Sequence, residues 1–142
     1  MSYSGDVSCQ ECWDVLAGNP AAQLLDVRTV PEWNFVGLPD LGSIGKRTIT
    51  IDWQQFPAMQ VNPQFVSAVD DALAGFGGDR EAPVYCLCRS GVRSISAAIA
   101  LTEAGYSNAF NVLGGFEGDR NEAGHRGQLD GWKHQGLPWV QN

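Results

Sequence analysis

Histidine is scarce in this chain of 142 residues, with only His125 and His134. A catalytic pair built on histidine is therefore a weak reading, and any nucleophile has to be activated by other means. Long apolar runs are missing too. No stretch approaches the roughly 20 residues a membrane span needs, so no membrane partner is expected. The opening Met1-Ser2-Tyr3-Ser4-Gly5-Asp6 lacks the basic and apolar regions of a signal peptide. The four cysteines, Cys9, Cys12, Cys86 and Cys88, are accordingly expected in a reducing, cytoplasmic setting. There they serve as core, ligand or nucleophile. Basic charge is also short, with 9 Lys and Arg against 16 Asp and Glu and a net charge of −7. That argues against nucleic acid, whose partners carry a basic patch. Against this acidic background the pair Arg89 and Arg93 stands out.

What is present reads as one α/β domain over residues 1–142. Ser8-Cys9-Gln10-Glu11 fits a capping box. The helix it starts runs to about Ala17, with Cys9, Cys12, Trp13 and Leu16 inward. Residues 22–27 read as a buried strand, and Pro31 as the first position of a short helix. Residues 37–47 are glycine-rich loop, and the β-branched run 47–51 is a strand. Asn62-Pro63 starts a helix with a stripe of Phe65, Val66, Val69 and Leu73. Residues 82–87 are a central strand, followed at once by a polar loop. A helix over 92–104 puts Ile95, Ile99 and Thr102 on one face. Residues 109–113 form the last strand. The tail from Trp132 to Trp139 reads as a short helix with a packed aromatic end.

The chemistry is expected in the loop Cys88-Arg89-Ser90-Gly91-Val92-Arg93. It sits at the carboxyl end of a strand, where open parallel sheets bind ligands. The turn at Arg89-Ser90-Gly91 can aim backbone N–H groups inward as a nest. The following helix adds the positive end of its dipole. A thiolate or a persulfide on Cys88 is stabilised there. Arg93 can clamp an oxyanion with its planar fork. Arg89 can steer an anionic donor at the rim, and Ser90 can donate one more hydrogen bond.

The stretch from Val84 to Ser94 resembles the active-site loop of the rhodanese-homology domains. Leu25-Asp26-Val27-Arg28 with Pro31-Glu32-Trp33 resembles that family's early motif. Gly105-Tyr106-Ser107-Asn108 and Val112-Leu113-Gly114-Gly115-Phe116 resemble its late ones. The resemblance covers roughly residues 5–117. It implies a five-stranded parallel sheet flanked by helices on both faces. It also implies sulfane sulfur transfer from a small anionic donor such as thiosulfate, through a Cys88 persulfide, to cyanide or a thiol. That thiol can belong to a protein. Asp26 and Arg28 then support the loop, and no cofactor or metal is expected. Two departures stand out. Phe35-Val36-Gly37-Leu38-Pro39-Asp40 replaces the family's histidine-containing stretch. The polar segment 118–131 is extra, either a lid or docking element with contacts from Asp119, Arg120, His125 and Arg126, or a surface excursion.

The remaining features have blander readings. Cys9-x-x-Cys12 fits helix core better than zinc. Cys86 can resolve an oxidised Cys88, but a buried strand favours core. Trp33 and Trp53 are candidates for the pocket mouth, and Trp132 and Trp139 for anchoring the tail. A phosphatase or arsenate reductase is a rival, but phosphate wants five residues between cysteine and arginine. Here four stand between Cys88 and Arg93. A non-catalytic interaction module is a second rival, and a sulfur relay to one protein acceptor a third.

Overall fold

Short strands and helices alternate along the chain. First come β1 (Gly5–Val7), α1 (Cys9–Gly18), β2 (Gln23–Asp26) and α2 (Val30–Phe35). Then follow β3 (Leu38–Pro39), a 3-10 turn (Gly42–Ile44), β4 (Ile49–Thr50) and the hairpin of β5 (Gln54–Gln55) and β6 (Gln60–Val61). Last are α3 (Phe65–Gly75), β7 (Val84–Leu87), α4 (Arg93–Glu103), β8 (Ala109–Val112) and β9 (Trp139–Val140). These elements are taken from a computed structural model that describes residues 2–141.

Five strands form one parallel sheet in the order β1-β8-β7-β2-β4. Central strands β2 and β7 are buried along their whole length, as a sheet covered on both faces requires. Side chains alternate between the faces. Leu25, Val27, Val84 and Cys86 pack with Phe65, Val69 and Leu73 of α3 and with Ala97, Ala98 and Leu101 of α4. Leu24, Tyr85, Leu87 and Val112 pack on the other side with Cys9, Cys12 and Leu16 of α1, and with Phe116 and Trp132. Both faces are thus covered, as the sequence predicts.

The structure departs from the sequence reading at several places. β1 is an additional edge strand. Part of the predicted loop at 37–47 is β3, which pairs antiparallel with β9. The tail holds turns and β9 instead of a helix. Gly131 and Gly136 take φ of 98° and 74°, values that interrupt a right-handed helix. Finally, α4 buries Ser94, Ala97, Ala98 and Leu101, while Ile95, Ile99 and Thr102 stay half-exposed. The small side chains let α4 lie close on β7 and β8.

Candidate active site

β7 ends at Leu87, and the chain turns directly into the Cys88 loop. Gly91 makes the turn with φ 105°, a conformation that glycine adopts without strain. Its N–H donates to Cys88 Sγ at 3.1 Å. The Ser94 hydroxyl, in the first turn of α4, lies 3.2 Å from the same sulfur. The sulfur therefore faces an amide, a hydroxyl and the amino-terminal end of an 11-residue helix. Cys88 lines a pocket of about 330 Å³ together with Arg89, Ser90, Val92 and Arg93. Cys88 itself is 1% exposed and packs with the core side chains Leu25, Val27 and Ala97. A larger hollow of about 500 Å³ lies by Gln23, Lys46 and Arg47, at the opposite ends of the strands. Its Lys46 ammonium already donates to the carbonyls of Asn19 and Ala22.

The carbonyls of the loop are held from behind. Phe116 N–H donates to Cys88 O at 2.8 Å, and Glu117 and Gly118 N–H donate to Arg89 O at 3.0 and 3.1 Å. Gly115, with φ 62°, lies so close that a Cβ there would sit 2.6 Å from Arg89 C. Asp26 and Arg28 act at one remove. Both are fully buried, and Arg28 Nε and Nη2 donate to the Asp26 carboxylate. Nη2 also donates to Gly37 O at 2.7 Å. The guanidinium lies over the Phe116 ring, 4.4 Å from its centre. The pair therefore fixes Phe116, whose amide fixes Cys88.

The two loop arginines differ. Arg89 is exposed at the rim. Arg93 lines the pocket, but its Nη1 and Nη2 donate to Glu32 Oε1 and Oε2 at 2.7 and 3.0 Å. Glu32 in turn accepts from the Thr29 amide and hydroxyl, which closes a capping box at the start of α2. Burial pushes the Glu32 carboxyl up. The Arg93 and Thr29 hydrogen bonds outweigh that and hold it below the usual carboxylate range. Glu32 is a site residue that the sequence reading quoted only as part of a motif. Its spacing from Thr29, three residues, was the available signal.

The other cysteines belong to the core. Burial pushes the Cys9 thiol up to about 12 and the Cys12 and Cys86 thiols well up. All four cysteines are free. Among the described residues no group of three His, Cys, Asp or Glu side chains is placed to hold a metal ion. Trp53 packs edge-on against Phe65 and lines a separate hollow with Ser96, Ile99, Ala100 and Glu103. Neither it nor Trp33 lines the Cys88 pocket. Trp132 is fully buried, and its indole N–H donates to Pro138 O at 2.7 Å. Trp139 is 40% exposed.

Segment 118–131 folds largely on itself. Arg126 Nη1 donates to Gly118 O, Asp119 N–H to Asp130, and His125 N–H to Asn121 Oδ1. Arg120 lines a shallow hollow with Asn121, Glu122, Ala123 and Leu129, separate from Cys88.

A parallel sheet covered on both faces, with a cysteine loop between its central strand and a helix, fits the rhodanese-homology class. Within that class, residues 4–142 match the family model described as the STR4 middle domain, and the chain belongs to that family. The crystal structure of Rv0390 from M. tuberculosis is similar over 99% of this chain and 100% of that one, with a TM-score of 0.88 and 44% identity. An uncharacterised protein of Rickettsia conorii, RC0915, is 37% identical over 94% of this chain and 95% of its own length. The thiosulfate sulfurtransferase GlpE of Actinobacillus succinogenes is 38% identical over 60 residues, 42% of each chain.

Proposed function

We propose that this protein is a sulfurtransferase that carries sulfane sulfur on Cys88. One observation carries the reading: the Cys88 sulfur accepts from the Gly91 amide beside a small pocket at a helix start. That setting suits an anionic sulfur. The partial likeness to a protein named a thiosulfate sulfurtransferase supports it.

In the first step the Cys88 thiolate attacks the outer sulfur of a donor such as thiosulfate. A sulfur–sulfur bond forms on Cys88, the donor's own bond breaks, and sulfite leaves with the electron pair. In the second step cyanide or a thiol, free or on a protein, attacks the outer sulfur and restores the thiolate. Each half is an ordinary displacement, so the cysteine splits one transfer into two. The Gly91 amide steadies the sulfur. Arg89 draws in the anion, and Ser90 and the Val92 backbone shape the cradle. Arg93, held by Glu32, contributes a fixed guanidinium at the wall. Asp26 and Arg28 keep the loop in place through Phe116. The free cysteines suit a reducing, cytoplasmic setting.

The expected result is that Cys88→Ser abolishes thiocyanate formation from thiosulfate and cyanide while circular dichroism is unchanged. Retained activity would refute the assignment. A phosphatase reading is disfavoured by the four-residue spacing.

A further inference from the structure

Cys88 ends a buried polar chain that starts on the edge strand. Its sulfur lies 3.2 Å from Ser94 Oγ, and Ser94 Oγ lies 2.5 Å from Asn111 Oδ1. Asn111 Nδ2 lies 3.0 Å from Asp6 Oδ1, which also accepts from Tyr3 Oη at 2.7 Å. Ser94 and Asn111 are fully buried, whereas Asp6 on β1 is exposed.

Chemistry fixes the direction of every bond in this chain. A carboxylate accepts, so Asn111 turns its amino group to Asp6 and its carbonyl oxygen to Ser94. That oxygen also accepts, so the Ser94 proton points at Asn111. Ser94 then faces the sulfur with a lone pair. A neutral Cys88 thiol suits this, because its S–H donates to Ser94. A thiolate or persulfide does not. It needs the Ser94 proton, and supplying it leaves Asn111 Oδ1 buried without a donor.

We propose that Asp6, acting through Asn111 and Ser94, is a positioning residue that sets how readily Cys88 takes its anionic form. This rests on the reading of Cys88 as the nucleophile. Asp6→Asn removes the obligatory acceptor and so lets the chain reverse. The new amide can donate to Asn111, Asn111 can turn its amino group to Ser94, and Ser94 can then donate to the sulfur. The other charged and titratable groups around Cys88 are Arg89 of its loop, Arg93 of α4 with Glu32 of α2, Cys86 of β7, and Asp26 of β2 paired with Arg28. The substitution alters none of them.

The test is the pH dependence of Cys88 alkylation by iodoacetamide, read by mass on the Cys88 peptide with no sulfur donor present. It therefore succeeds or fails independently of sulfur transfer. Asp6→Asn should lower the midpoint by about one pH unit, a roughly tenfold gain in anion below it. Asp6→Ala, which frees Asn111 to turn, should shift it the same way. Loss of the Asp6 charge alone would act in that direction too, so Ser94→Ala supplies the control. In that background Asp6→Asn should move the midpoint by clearly less, leaving only the part due to lost charge. An unchanged midpoint in the Asp6 variants, or an equal shift without the Ser94 hydroxyl, would overturn the proposal.

Discussion

Gly115→Ala should damage the sulfur site through the backbone alone. Gly115 takes φ 62°, and a Cβ there would lie 2.6 Å from Arg89 C and 2.7 Å from Arg89 O. Holding alanine in the left-handed region costs about 1–2 kcal/mol. Those contacts are with backbone, so relief requires the loop or the Gly115 turn to move. Overpacking of this kind adds about 1–3 kcal/mol. Gly124 is the matched control. Its φ is 78°, but a Cβ would meet nothing within 4 Å, so Gly124→Ala bears the conformational cost alone. Urea unfolding should separate the two variants by about 1–3 kcal/mol. The moved loop carries Cys88 with it, and a displacement near 1 Å can lower a rate roughly 100-fold. Sulfur loading should therefore fall steeply in Gly115→Ala and stay unchanged in Gly124→Ala. Equal destabilisation, or equal loading, would refute the claim that this close approach shapes the cradle.

Other consequences follow from the charges and the late segment. Glu32 is held below the usual carboxylate range in the folded chain, so its contribution to stability is present above that range and lost as pH falls through the depressed value. Wild type should exceed Glu32→Gln in stability near neutrality, with the gap in unfolding midpoint closing in acid below about pH 4; a constant gap would refute the linkage. Arg89→Ala should weaken use of thiosulfate with stability within about 0.5 kcal/mol. Arg93→Ala, which strands Glu32, should cost stability as well; equal unfolding curves would contradict the ion pair's role. Replacing residues 119–130 by a short glycine-serine linker should leave sulfur loading from thiosulfate unchanged. Slower loading would place the segment over the donor pocket, and a changed acceptor preference alone would support the docking role.

The loop after β7 was legible because its signals are local. An apolar run at 84–87 breaks abruptly into Cys88-Arg89-Ser90-Gly91, and the Ser8 and Glu11 capping box appears as read, with reciprocal bonds of 3.0 and 3.2 Å. β1 was not legible, since Gly5-Asp6-Val7 has no apolar alternation and is held by β8 alone. β3 and β9 pair residues about a hundred positions apart, which no local pattern announces. The buried face of α4 escaped because Ser94, Ala97 and Ala98 carry little hydrophobic signal beside Ile95 and Ile99. Asn111 was a missed cue, a lone amide in the otherwise apolar strand from Ala109 to Leu113. Such a residue needs buried partners, and it has them in Ser94 and Asp6.

The central claim is that Cys88 accepts a single sulfur atom. Incubation with excess thiosulfate, followed by intact-mass and peptide mass spectrometry, tests it directly. The account predicts a gain of one sulfur confined to the Cys88 peptide and removed by cyanide. An unchanged mass, or sulfur found on Cys9, Cys12 or Cys86 instead, would contradict it.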